Sequence, residues 1–257
     1  MTSARMPVAF LGHGSPMNAL EQNRFTEAWA AFGATVPRPR AILMVSAHWY
    51  VRGSAVTAMA QPRTIYDFYG FPRPLFEVKY PAPGDPSLAE EIAELVKPTR
   101  VELDGGWGLD HGAWSVLVHA FPAADVPVVQ LSIDDSRDFD YHVELGARLA
   151  PLRERGVLIL GSGNVVHNLG AIDWSSPDAG FDWAQRFDDS ARALLSDRPG
   201  DAAVLRSHPD YALAAPTPEH FIPLLYVAGL AAAGGAPLRS FAEGYAFGSL
   251  SMTCYQG

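Results

Sequence analysis

The chain has 257 residues, 48% hydrophobic and 18% charged, an ordinary globular mixture with enough apolar side chains for a sizeable core. A formal net charge of -9, with no run of Lys or Arg, argues against nucleic acid as a partner. A single cysteine, Cys254, excludes an intramolecular disulfide framework.

Met1–Met6 is short and polar and runs straight into Val8–Leu11, without the ordered parts of a signal peptide. No stretch approaches the ~18 apolar residues of a membrane span. No membrane association and a soluble, cytoplasmic protein are therefore expected. Val8–Leu11 is the first of four short apolar runs that read as buried strands, with Ala41–Val45, Val126–Ile133 and Val157–Leu160. Between the first two, Phe25, Ala28, Trp29 and Phe32 share one helical face. Gln61–Gly84 breaks the rhythm: Tyr66, Phe68, Tyr69, Phe71 and Phe76 alternate with prolines, which reads as an ordered loop packed by its own rings. Asp85-Pro86 opens a helix whose apolar face is Leu88, Ile92 and Leu95.

Tyr141–Leu152 and Phe181–Leu195 read as two further helices, and Asp197–Pro218 as a second long loop. Thr217 and Pro218 are placed to cap and start a helix, although Pro223 would distort its first turn. The apolar Leu224–Ala233 suits either the core or an interface between copies, which leaves a homo-oligomer open. Phe247–Tyr255 alternates loosely, as a last strand would. Strands alternating with helices predict an α/β fold: one three-layer α/β/α domain over residues 1–257, around a central, mostly parallel or mixed sheet.

The histidines carry the functional signal. His13 (in Leu-Gly-His-Gly-Ser-Pro) and His48 (in Val-Ser-Ala-His-Trp-Tyr) directly follow predicted strands, and His167 (in Gly-Ser-Gly-Asn-Val-Val-His-Asn) follows a third. Ligands of open α/β sheets gather at the carboxyl ends of the strands. His220 lies in Pro-Thr-Pro-Glu-His-Phe-Ile-Pro, and His111 lies where a Gly-rich loop enters a helix, for which a helix cap is the alternative role. Two histidines and a carboxylate make the facial triad of non-haem Fe(II) oxygenases, and three histidines and water make a catalytic zinc site. Glu219 supplies the carboxylate for the first and His220 the imidazole for the second. A further histidine near the metal can serve as acid or base. His119, His142 and His208 are assigned to the core edge or surface. No G-x-S-x-G elbow, P-loop or dinucleotide fingerprint is present, and Cys254 is a poor nucleophile candidate.

Five motifs in order carry a family likeness: Gly-His13-Gly-Ser-Pro, Ser-Ala-His48-Trp, Leu-Asp-His111-Gly-Ala-Trp, Gly-Ser-Gly-Asn-Val-Val-His167-Asn-Leu and Pro-Glu-His220-Phe-Ile-Pro-Leu. Together they resemble the class III extradiol ring-cleaving dioxygenases, in the branch of the 4,5-DOPA dioxygenase extradiol proteins; Tyr66-Asp-Phe-Tyr-Gly-Phe-Pro also looks like this branch. The resemblance implies His13, His48 and His220 as metal ligands. It implies His167 as a base that also lies against the metal, and His111 as a second catalytic histidine. Relatives with a glutamate ligand leave Glu219 and His220 both open for the third position. The implied cofactor is Fe(II), with Zn(II) able to occupy the same site. The implied partners are O2 and a catecholic aromatic of DOPA or caffeate type. A zinc-dependent hydrolase and a non-catalytic metal-binding module are the alternatives on the same fold.

Overall fold

The computed structural model describes residues 5–257. Most of the leader-free reading of Met1–Met6 falls on residues outside that range. The strands are β1 (Val8–Gly12), β2 (Ala41–Val51), β3 (Ser54–Thr57), β4 (Val101–Asp104), β5 (Val128–Asp134), β6 (Val157–Gly163), β7 (Arg239–Ala242), β8 (Tyr245–Ala246), β9 (Leu250–Ser251) and β10 (Cys254–Gln256). The helices are α1 (Arg24–Thr35), α2 (Pro86–Leu95), α3 (His111–Ala120), α4 (Phe139–Arg148), α5 (Pro151–Glu154), α6 (Asp182–Asp197), α7 (Tyr211–Ala214) and α8 (Ile222–Ala233). Eight strands form one mixed sheet in the order β4-β3-β5-β2-β6-β1-β10-β7, and β8 and β9 pair apart from it. Its centre, β5-β2-β6-β1, is parallel. β3 joins β5, and β10 joins β1 and β7, in antiparallel fashion.

Side-chain alternation separates two apolar layers. Val8, Phe10, Leu43, Val45, Val157 and Ile159 face a core shared with α2, α4, α6 and α8. Ala9, Leu11, Ile42, Met44, Leu158 and Leu160 face a second core with α1, α3 and the aromatic loop. A sheet buried on both faces requires near-continuous apolar strands, as these four runs are. The helix starts follow local chemistry. Asn23 accepts from Phe25 N and Thr26 N, while Thr26 Oγ1 accepts from Asn23 N, a closed capping box for α1. Asp85 caps α2 through Leu88 N, with Pro86 in the first turn as expected.

Several expectations need correction. β2 does not end at Val45 but runs to Val51, with an irregularity against β5 between Val45 and Tyr50. His48 is therefore inside the strand, where the bulged stretch re-aims its side chain. The helix read over Tyr141–Leu152 breaks at Leu149, before Pro151, into α4 and α5. Asp197–Pro218 holds a 3-10 helix over Pro199–Ser207 as well as α7. Thr217 caps no helix: α8 starts at Ile222, with Pro223 in its first turn, and Thr217 Oγ1 donates to Glu219 instead. Leu224–Ala231 is buried throughout and belongs to the core. His142 is fully buried between α4 and α8, its Nδ1 3.1 Å from the Tyr226 hydroxyl, rather than at the core edge.

α4 and α8 cross at two glycines. A Cβ on Gly229 would collide with the Val143 carbonyl, and one on Gly146 with the Tyr226 carbonyl. Backbone cannot yield as a flexible side chain does, so Gly229→Ala is expected to destabilise the fold by about 1–3 kcal/mol, read from the midpoint of urea denaturation.

Candidate active site

β2, β6 and β1 are adjacent and parallel, so their carboxyl ends open on one edge of the sheet. His13 is the first residue after β1, His167 follows β6, and His48 projects from the irregular part of β2. His111 is the first residue of α3, and His220 lies in the turn before α8. The chain reaches His220 by packing tightly on β6. A Cβ on Gly163 would collide with the His220 carbonyl, which accepts from Asn164 N at 2.9 Å. Gly163 O in turn accepts from His13 N at 3.0 Å. These contacts bring five imidazoles together. Ring centroids are 5.1 Å apart for His13 and His48, 5.3 Å for His13 and His220, and 5.0 Å for His48 and His220. His111 lies 3.7 Å from His48, and His167 stacks flat on His220 at 3.4 Å.

Groups behind the rings decide where the protons sit. Ser162 Oγ donates its one proton to Gly112 O at 2.5 Å, so it accepts from His13 Nδ1 at 2.9 Å. His220 Nδ1 donates to Glu219 Oε1 at 3.1 Å, and Thr217 Oγ1 donates to the same oxygen at 2.8 Å. His48 Nδ1 faces Asp67 Oδ2 at 3.4 Å. All three rings thus hold Nδ1 outward and leave Nε2 for the interior, the arrangement that metal-bound histidines adopt. His13 Nε2 and His48 Nε2 are 3.2 Å apart. Two nitrogens each about 2.0–2.1 Å from one ion, at a right angle, would lie about 3 Å apart. The donor atoms of His13, His48 and His220 fall within 4.8 Å of one another, so the set fits a single ion.

Electrostatics point the same way. Burial, then the surrounding imidazoles, hold His13 and His220 well below the ordinary histidine pKa. Burial and His111 push His48 down to about 3, against the pull of Asp67. Burial takes His167 to about 4, although Glu219 raises it. Metal binding requires neutral imidazoles, and these are neutral at pH 7. Asp67 shows the converse: burial raises it, but contact with His111 and His48 outweighs burial and leaves it below the usual carboxylate range.

The five histidines singled out from sequence all reach the cluster. His119, His142 and His208 lie outside it, on Asn18 O, Tyr226 and Ser190 respectively. His111 does not cap α3; Asp110 does, accepting from Ala113 N. Asp67, Asp110 and Ser162 were not singled out. A hydroxyl or carboxylate inside an apolar run was the available signal, because such a group needs a buried partner.

Such a cluster on the carboxyl edge of an α/β sheet could hold a metal ion where enzymes of this architecture place their ligands. Residues 7–250 match the family of the catalytic LigB subunit of aromatic ring-opening dioxygenase, and the chain belongs to that family, as an extradiol ring-opening dioxygenase. It is 49% identical over 261 residues to the 4,5-DOPA dioxygenase extradiol of Escherichia coli K12, covering all of this chain and 96% of that one. The protein of the same name from Beta vulgaris is 39% identical over 86% of this chain and 85% of its own length. A crystal structure of an uncharacterized Escherichia coli K12 protein aligns with TM-score 0.85 and 45% identity over 98% of this chain and 99% of its own. Among the described residues no helix is long and apolar enough to cross a membrane.

The neutral cluster has a consequence for stability without metal. Unfolded histidines titrate near 6.5, while folded His48 and His167 do so at about 3 and about 4. The unfolded state therefore binds more protons below about pH 6.5, and stability falls as pH drops from there towards 4. Calorimetry of chelator-treated protein should show Tm declining across that window, with a shallower decline in His167→Gln.

Proposed function

We propose that the chain opens the ring of a catechol with a DOPA- or caffeate-like side chain, using O2 and Fe(II) held by His13, His48 and His220. Residues 1–257 act as one catalytic domain. The observation that carries this reading is the convergence of three imidazoles, His13 and His220 buried and His48 half-buried, whose outer nitrogens face Ser162, Glu219 and Asp67. It favours His220 over Glu219 as the third ligand, because Glu219 already accepts from His220 and Thr217. Three neutral imidazoles leave more positive charge in the site than a facial triad would, which favours a doubly deprotonated catechol. Zn(II) suits the same donors, and His167, stacked on His220, groups its ring nitrogens with His220 and Glu219 rather than with His13 and His48. Ring-opening relatives over the whole chain speak against the hydrolase and the binding module.

Bound there, Fe(II) would supply the path for electrons from the diol to O2. His167 is neutral at working pH, with a contact to its own backbone, and its ring is the group placed to take a phenolic proton. His111, on the far side of His48, would supply the proton needed as the O–O bond breaks. Both oxygen atoms enter the ring-opened product, so no external reductant is required. Phe68 stands edge-on to His111 at 5.4 Å, and the aromatic loop closes that side of the site against water. Fe(II) and the lone thiol of Cys254 suit a reducing cytoplasm.

Protein reconstituted anaerobically with Fe(II) should take up one O2 per catechol and form a yellow product with DOPA or caffeate. His48→Ala and His220→Ala should lose iron and turnover together, whereas Glu219→Gln should keep iron. His167→Ala should keep iron and lower kcat by about 10²–10⁴-fold. No uptake from verified iron-loaded protein with any catechol would overturn this function, and loss of iron from Glu219→Gln would overturn the ligand set.

A further inference from the structure

Asp67 lies in the aromatic loop between Tyr66 and Phe68, distant in sequence from both β2 and α3. Its Oδ1 accepts the backbone N–H of His111 at 2.9 Å. Its Oδ2 lies 3.0 Å from His111 Nδ1 and 3.4 Å from His48 Nδ1. The His111 contact is bent away from the ring N–H direction, so it acts through charge more than through a linear hydrogen bond. One carboxylate oxygen thus stands between ring nitrogens carried by two separate elements. An unprotonated nitrogen at that range would put partial negative charge beside the carboxylate where an N–H puts partial positive charge, so both rings are favoured with the proton on Nδ1.

The anion does not simply follow the rings. Its loop has ties of its own, internally by the Tyr66 hydroxyl donating to Val78 O at 2.7 Å and to β5 by Val128 N donating to Pro83 O at 2.8 Å, besides Trp114 Nε1 of α3 donating to Ile65 O at 2.8 Å. Asp110, the other carboxylate beside His111, is committed elsewhere. Its oxygens accept from Ser46 Oγ at 2.7 Å, Gln130 Nε2 at 2.6 Å and Ala113 N at 3.1 Å.

Resting on the dioxygenase reading for its catalytic consequence, we propose that Asp67 is a positioning residue that fixes the tautomer of His48 and His111 with a single carboxylate. His48 then presents Nε2 to the ion, and His111 presents Nε2 on the side away from the loop, as a proton-transfer group. The segment that shields the site from water also sets the ligand and the proton-transfer group, so a displaced loop disables all of them at once.

The test uses full-length, metal-free protein labelled with 15N-histidine, in which long-range 1H–15N spectra report each ring's tautomer. Wild type should show His48 and His111 as Nδ1–H. Asp67→Asn keeps an acceptor for the His111 backbone but lets an NH2 group face the rings, and should shift both towards the other tautomer. By chelator competition its Zn(II) and Fe(II) affinities should fall by about 10–100-fold. With iron saturating, kcat should fall while KM for the catechol holds. Unchanged tautomers with unchanged metal affinity would overturn the proposal. So would two ions per chain falling to one in Asp67→Ala, because Asp67 would then ligate a second ion with His48 and His111. A wild type that opens no catechol would sink the dioxygenase reading, yet the spectra and affinities would still decide the role of Asp67.

Discussion

His13, His48, His167 and His220, crowded together, cannot all carry charge, and most of the surrounding structure follows from keeping these four neutral and the cluster correctly turned. Burial alone would make them neutral but leave each free to place its proton on either nitrogen. Acceptors behind the rings remove that freedom: Ser162 for His13, Glu219 for His220, and Asp67 for His48 and His111. With Nδ1 outward, His13 and His48 point Nε2 lone pairs at each other across 3.2 Å. That opposition is unfavourable in the empty cluster and becomes favourable around a cation. The same constraint that would suit the cluster to a cation therefore makes the cation-free arrangement the less comfortable one.

Holding the acceptors still requires buried polar structure at a second remove. Asp110 is fully buried, and burial together with Asp67 pushes its carboxyl pKa up. It is tolerated because Ser46, Gln130 and the first turn of α3 satisfy its oxygens, and so the start of α3 and His111 with it are fixed against β2 and β5. On the other side of the sheet Asp188 plays a comparable part. Ser251 and Thr253 donate to it at 2.9 and 2.8 Å, and Tyr245 at 3.3 Å, tying the segment before β10 to α6. That segment also bridges His167 through Leu250. A half-satisfied network at either place would cost more than an apolar one, which explains why both carboxylates are so fully partnered.

The parallel centre of the sheet was legible because a strand buried on both faces must be an apolar run, and Val8–Leu11, Ala41–Val45 and Val157–Leu160 are such runs. β3, β4 and β7 were not legible: they are short, and β4 and β7 alternate with exposed charged residues such as Glu102 and Arg239. The five histidines could be picked out because each sits in a glycine- or proline-marked turn or beside a strand. Their neighbours could not. Asp67 is 44 residues from the His111 backbone it binds, and Ser162 is 149 residues from His13. Pairing across such separations is set by the packing of the sheet and leaves no periodic trace in the chain. His48 was placed one element too late for a related reason, since a bulge inserts residues without changing local composition.

The aromatic loop joins these observations. Read from composition it is a cap of rings over an edge, and Phe68 does pack with Phe71, Phe76, Trp114 and His111. Yet the same segment carries the anion that faces two of the five imidazoles. In a rigid strand-borne site the loop would be the variable part, free to change with substrate. Here a change of loop length or position would move Asp67 away from His48 and His111, altering the chemistry along with the fit.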